Sequence, residues 1–338
     1  MRWLLPFAAI LLAFFIGSII LLALRQNPLA VYYVFFIEPF SSLYSIAEVA
    51  NKTTTLAVIA LGLSVCFRSN IWNIGAEGQL TIGAIAATVV ALYAGDTPGV
   101  LLWMILAAGL AGGLWGMVPA FLRIYCGVNE ILVSLMLVYV AQLLLSYAVY
   151  GPLKDPDGYG FPTSALFSDS TLLPVLLEDT RLYASIFLLP LAVILVALLL
   201  RRSKVGFQMQ VSGIEPSAAR FAGFSTARPV WLCFLISGAF AGVMGMVEVA
   251  GPFGQLTEVI SPGYGFTAII VAFLGRLSPL AIVAAALLVA LIYIGGENAQ
   301  IEMQLPPSIS NIFQALILFS LLAVDFFIHH RVTWGRAK

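Results

Sequence analysis

Stretches of about twenty consecutive apolar residues recur along almost the whole chain, and this recurrence restricts the fold more than any other feature. A bilayer core of about 30 Å needs roughly 20 apolar residues in a helix rising about 1.5 Å per residue. Ten stretches meet or approach that length, near 3–24, 46–66, 71–94, 99–122, 130–150, 182–200, 230–250, 266–275, 279–297 and 309–328. The eighth is too short to cross alone, so its helix either starts in the loop before Phe266 or is a re-entrant piece buried in protein. Composition agrees. The chain is 61% hydrophobic and 9% charged, against about 45–50% and about 25% for a soluble domain. A net charge of zero and three cysteines exclude a nucleic-acid binder, a disordered chain and a disulfide scaffold. The expected fold class is an all-α polytopic membrane protein of about ten transmembrane helices, a single domain over 1–338.

Basic residues orient it. With the amino terminus in the cytosol, Arg2, Arg68, Arg123, Arg201, Arg202, Lys204, Arg220, Arg228, Arg276, Arg331, Arg336 and Lys338 fall on the cytosolic side. Only Arg25, Lys154 and Arg181 fall outside, and Lys52 lies within a span. Short loops rich in Lys and Arg stay inside, so both termini are expected in the cytosol. The first apolar run exceeds a signal-peptide core, and Ala23-Leu24-Arg25 offers no small-x-small cleavage site, so it reads as a retained helix. Cys66, Cys126 and Cys233 fall at or near the cytosolic face, where thiols stay reduced. Their odd number and spacing match no metal site.

The motifs of familiar reaction classes are missing. The two histidines, His329 and His330, are adjacent and cannot form a metalloprotease pair four residues apart; they read as interfacial residues beside a helix C-terminus. There is no Gly-x-Ser-x-Gly elbow and no phosphate-binding Gly-x-x-x-x-Gly-Lys-Ser/Thr loop. No catalytic residue and no metal ligand is assigned, and any ATP chemistry is expected on another chain.

Four features carry information. The run from Arg68 to Leu80 is the most polar stretch among the apolar spans. Asn73 and Glu77 are four apart and would share a helix face, while Gly75 and Gly78 each cost about 1 kcal/mol relative to alanine. A broken helix here would line a cavity, as transporter sites often do. Glu77 lies some six residues into its span, roughly 9 Å deep, where a carboxylate costs about 2.5–3.5 kcal/mol. The run is therefore either a translocation pathway through Trp72, Asn73, Gly75, Glu77 and Gln79, or a structural knot in which Asn73 and Gln79 cap helix ends. The second feature is the loop 201–229. Pro216 suits a helix first turn, Ser217–Ala222 is helix-prone and Gly223 is placed to end it. Few large apolar residues line this short helix, which favours docking on a protein over resting on lipid.

The third feature is the external segment 151–181, opening Gly151-Pro-Leu-Lys-Asp-Pro-Asp-Gly-Tyr159, with two basic residues against five acidic. Loops of this length usually have a function; it is a receptor dock or a plain connector. The fourth is glycines four apart, at Gly109 and Gly113, Gly112 and Gly116, and Gly238 and Gly242, which let helix backbones touch. Asn129 and Glu130 either cap the fifth span or belong to a cytosolic gate. Glu48 and Lys52 are placed to pair. Glu130, Glu248, Glu297 and Asp325 sit near span ends, within reach of water. Trp72, Tyr139, Tyr147 and Phe266 either stack a sugar or base or simply pack.

Together Phe67-Arg-Ser-Asn-Ile-Trp-Asn-Ile-Gly-Ala-Glu-Gly-Gln79, Gly127-Val-Asn-Glu-Ile-Leu-Val-Ser134 and Ala218-Ala-Arg-Phe-Ala-Gly223 resemble one family: the permease subunits of binding-protein-dependent ABC importers for nucleosides and simple sugars, akin to ribose permeases. The resemblance runs from about 45 to 328. It implies a multi-pass subunit of the bacterial cytoplasmic (inner) membrane that is not itself an enzyme. It also implies two permease subunits, identical or not, two ATPase subunits that bind ATP and Mg, and an external substrate-binding protein. By resemblance Gly213, Pro216, Ala218, Ala219, Arg220 and Gly223 form the coupling helix that seats in an ATPase subunit; Glu215 stands where members often carry Asn. Spans 2–3 and 7–8 each read as helix, Gly-rich interruption (73–78 and 251–265) and small-residue helix, a faint inverted repeat. The rival readings are an ion-gradient-driven transporter or channel using Glu77 or Glu48, and a non-transporting scaffold.

Overall fold

The structure, a computed structural model, describes residues 5–95, 97–158, 160–306 and 308–329. His330, Tyr159 and the terminal basic residues Arg2, Arg331, Arg336 and Lys338 lie outside the described residues, as does the side chain of Asp325. The described chain is helical: α1 Leu5–Ala23, α2 Pro28–Phe36, α3 Leu43–Arg68, α4 Ala76–Ala94, α5 Val100–Cys126, α6 Glu130–Tyr150, α7 Leu188–Arg202, α8 Lys204–Ile214, α9 Pro216–Phe221, α10 Ala227–Glu248, α11 Tyr264–Leu274, α12 Pro279–Met303 and α13 Ser308–His329. A helix lies at each of the ten apolar stretches. Among the described residues, seven helical segments are long and apolar enough to cross a membrane, whereas the apolar parts of α1, α2 and α11 are shorter.

Two helices were not anticipated. In α2, Asn27 caps the first turn by accepting from the Leu29 N–H at 3.0 Å, and Pro28 opens the helix. In α8, Ser203 does the same for the Gly206 N–H at 2.9 Å. Both caps are printed in the sequence, but short apolar runs beside long ones hide them.

The chain divides into two compact units. The first comprises Met1–Val49 and Leu287–Lys338. Its described core is aromatic: Phe14 meets Tyr32 edge-on at 5.3 Å, and Phe35 lies 5.5 Å from Phe313. The Tyr32 hydroxyl donates to the Phe14 carbonyl at 2.7 Å, so its polar end is satisfied. The second unit, Ala50–Ala286, holds the polar run and the arm at 201–229. Its centre is the packing of α4, α5 and α10 on one another. Glycines make this possible: a Cβ at Gly112 would overlap the Gly238 carbonyl, and one at Gly83 would overlap the Gly242 backbone. The glycine spacing therefore serves internal packing, with backbones in contact as small residues allow.

Candidate functional site

The site begins where α3 stops. Asn70 takes a left-handed conformation at φ 52°, which Asn tolerates better than most residues. The chain then runs without helix until Ala76. Asn73 and Glu77 therefore do not share a helix face as their spacing suggested, because Asn73 belongs to the break and Glu77 to the first turn of α4. Asn73 is fully buried. Its Nδ2 donates to Ser237 Oγ at 2.7 Å and to Gln79 Oε1 at 2.9 Å, and its Oδ1 accepts from the Gly75 N–H at 2.9 Å and Gln79 Nε2 at 3.2 Å. One side chain thus closes the break onto α4 and α10. Gly75 is confined too, since a Cβ there would lie 2.9 Å from the Ser134 carbonyl. Asn73, Gly75 and Gln79 come together; Trp72 stands apart, 37% exposed and stacked on Phe273 at 5.9 Å.

Glu77 is 3% exposed. Its Oε2 accepts from the Gly265 N–H at 2.6 Å, in the first turn of α11. Gly265 presses so closely that a Cβ would overlap the Glu77 backbone. The carboxylate therefore sits at the positive ends of two helices, its own and α11, which favours its negative charge. Ser261 prepares α11 by accepting from the N–H groups of Gly263 at 3.1 Å and Tyr264 at 2.8 Å. At about 16 Å, an 11-residue helix reaches only half of a bilayer core. Beside this junction lies a cavity of about 270 Å³, whose polar lining is Glu77, Thr81, Gln142, Ser146, Glu258 and Ser261. It opens beside Gln142 and Glu258, both exposed.

Glu248 departs from its expected position near water. It is 4% exposed and accepts from Thr55 Oγ1 at 2.8 Å. It ends α10, just before a π turn at Val249–Phe253 that contains Pro252. Lys52 donates to the Tyr264 hydroxyl, with its ammonium 4.4 Å from that ring's centroid, a cation–π distance. Sequence reasoning missed Thr81, Gln142, Ser146, Glu258 and Ser261. Gln142 and Ser146 are four apart on α6, a shared-face signal that was available, but nothing in the linear chain joins that face to Glu258 and Ser261.

The arm at 201–229 is a helical pair. In α9 Pro216 is the first residue, and Gly223 follows the helix at φ +77°, a conformation that suits glycine. Ala219 is buried, whereas Pro216, Ala218, Arg220 and Phe221 are exposed, Phe221 at 96%. Gly213 packs directly on Ser69, where a Cβ would overlap the backbone. The arm thus touches the start of the break that carries Asn73. Asn129 caps α6, accepting from the Ile131 N–H at 2.9 Å, and Glu130 pairs with Arg123 at 2.5 Å across the α5–α6 turn.

The long segment before α7 is tied to the second break. The Ser164 N–H donates to the Leu256 carbonyl at 2.9 Å, Phe167 to Gly254 at 2.9 Å and Leu173 to Ala250 at 2.8 Å. It thus straps the chain just before the cavity residues Glu258 and Ser261. Tyr139, Tyr147 and Phe266, considered above as stacking groups, are 57%, 69% and 38% exposed.

Residues 45–322 match the family described as branched-chain amino acid transport system / permease component. The chain is similar to a glucose ABC transporter permease protein of Haloferax volcanii, 37% identical over 97% of this chain and 89% of that one. It is also similar to a guanosine ABC transporter permease protein of Bacillus subtilis, 31% identical over 93% and 91% of the two chains. A nucleoside ABC transporter permease protein of Lactococcus lactis is 28% identical over 96% and 92%. Two helix breaks meeting at a buried carboxylate, in a chain of this hydropathy, suit such a role, and this chain belongs to the branched-chain amino acid transport system / permease component family, as an ABC importer permease subunit of the cytoplasmic membrane.

Proposed function

We propose that this chain forms the translocation pathway of an ATP-driven importer for nucleosides or related simple sugars. Both termini face the cytosol, about ten spans cross, and the Arg-rich ends of α3, α5 and α7 lie inside by the positive-inside rule. The loop 201–229 receives an ATPase subunit through Pro216, Ala218, Arg220 and the protruding Phe221. The loop 151–181 receives an external substrate-binding protein. ATP and Mg belong to the ATPase subunits.

The observation that carries this reading is the seating of Gly213 on Ser69. Displacing the arm cannot leave the break 69–75 in place, because backbones in contact have no slack. Asn73, Gly75 and Gln79 hold that break, and Glu77 carries its displacement to α11 through Gly265. On the other side, docking on 151–181 pulls the strapped segment 250–257. The solute passes Glu77 between these two movable breaks, with Trp72 at the arm's side and Asn129 and Glu130 bracing α6. Exposed Gln142 and three exposed tyrosines on α6 would be poorly placed against lipid at depth, so a second permease subunit, identical or not, covers that face.

Mild-detergent purification of the tagged chain from native membranes tests the assembly. The expected result is co-recovery of an ATPase bearing a phosphate-binding loop, with one copy per permease. Recovery of the chain alone, with uptake that survives ATP depletion, would replace this reading with an ion-driven transporter.

A further inference from the structure

The cavity beside Glu77 has a chemical character of its own. Its hydrogen-bonding side chains are two carboxylates, one amide and three hydroxyls, and neither lysine nor arginine lines it. Glu77 already occupies the first-turn N–H of α11 through Gly265, so that donor is spent on the protein's own anion. Glu258 is different: among the described residues it accepts only from the Tyr150 hydroxyl, 3.4 Å from Oε2, at the long limit for an O–H donor. An ionised carboxylate only accepts, so a ligand that displaces water from exposed Glu258 must bring donors. Gln142 offers both a donor and an acceptor, and Ser146 a hydroxyl. At about 270 Å³ the space lies just below the roughly 300–1,000 Å³ typical of small-molecule sites, which suits a small solute.

We infer that this cavity is a selectivity site in the permease itself, which binds an uncharged polyhydroxylated solute by taking its O–H groups into Glu258, Gln142 and Ser146 and rejects anionic ones. Sugars and ribonucleosides share that chemistry. A phosphate or carboxylate in the same place would face Glu77 and Glu258 with no cation in the lining to offset them. The inference rests on the importer reading above and assigns discrimination to this chain in addition to any external receptor.

The test uses the purified permease–ATPase complex without its external receptor, with radiolabelled glucose and guanosine as neutral probes. Glucose 6-phosphate and guanosine 5′-monophosphate are their anionic counterparts. Wild type should bind at least one neutral probe and hold its phosphorylated form at least tenfold more weakly. Glu258→Gln keeps the shape, removes the charge, and should weaken the neutral probe roughly tenfold, the loss of a hydrogen bond to a charged group. It should also narrow the neutral-over-phosphate ratio, which a merely structural defect would leave unchanged. Ser146→Ala, a smaller change, should weaken the neutral probe several-fold and leave that ratio intact. Equal binding of neutral and phosphorylated probes by wild type would overturn the inference, as would an unchanged ratio in Glu258→Gln. It also falls if neither neutral probe binds while the complete transporter takes one up. Absence of sugar and nucleoside uptake by the complete, ATP-supplied transporter would instead remove the importer reading on which the inference depends.

Discussion

Asn73 is the residue on which the break depends, since it makes four hydrogen bonds and is fully buried. Asn73→Ala would leave Gln79 and Ser237 with unmet groups at about 1–3 kcal/mol each, so the detergent-solubilised protein should unfold at a markedly lower temperature. Asn73→Asp should also destabilise it, because a carboxylate cannot donate to Ser237 and Gln79 together. Glu77 behaves differently. Glu77→Gln keeps an acceptor for the Gly265 N–H, so the assembled complex should be recovered at wild-type yield while uptake falls about tenfold or more, because the passing solute loses a charged acceptor in the pathway. Equal loss of assembly and uptake would make Glu77 part of the knot rather than of the pathway. The sequence already marked this run as abnormal, because eight polar or glycine residues from Arg68 to Leu80 interrupt apolar spans. The division of labour within it was not legible: spacing placed Asn73 and Glu77 on one face, and only the helix start at Ala76 separated them.

At the scale of elements, the arm α8–α9 and the strap before α7 each grip one of the two breaks. Gly223→Val should strain the left-handed end of α9 by about 1–2 kcal/mol and disturb the presentation of Phe221. Receptor-stimulated ATPase activity should fall several-fold with the protein still assembled; unchanged stimulation would dissociate α9 from coupling. Gly213→Val tests the next link. Its side chain would meet the Ser69 backbone, so uptake per ATP hydrolysed should drop, whereas valine at Gly109, where the nearest atom to a Cβ is a side-chain carbon at 3.3 Å, should be milder. The α9 boundaries were readable beforehand, because proline at a first turn and glycine past the last are local rules. The seam between Gly213 and Ser69 was not, since it joins residues 144 positions apart through backbone contact that leaves no pattern in either segment.

For the whole molecule, the orientation is testable with single cysteines. In a background lacking exposed Cys126, Leu166→Cys, at a position 73% exposed, should react with a membrane-impermeant maleimide added outside intact cells. Phe221→Cys, at a position 96% exposed, should react only in inverted vesicles; the reverse pattern would invert the topology. Buried Cys66 and Cys233 should give little background. The sequence by itself determined the helical class, the ten apolar stretches, the short helix α9 and the family, because helix length, hydropathy and end signals are properties of contiguous residues. Tertiary structure alone decided that α11 meets α4 at Glu77, that Glu248 turns inward to Thr55, and that Gln142, Ser146, Glu258 and Ser261 share one cavity. Those placements depend on which surfaces close-pack, through glycine contacts such as Gly265 on Glu77 and Gly83 on Gly242. Such contacts are set by three-dimensional fit between distant segments, and a bilayer that satisfies any apolar face equally well does not encode them in hydropathy.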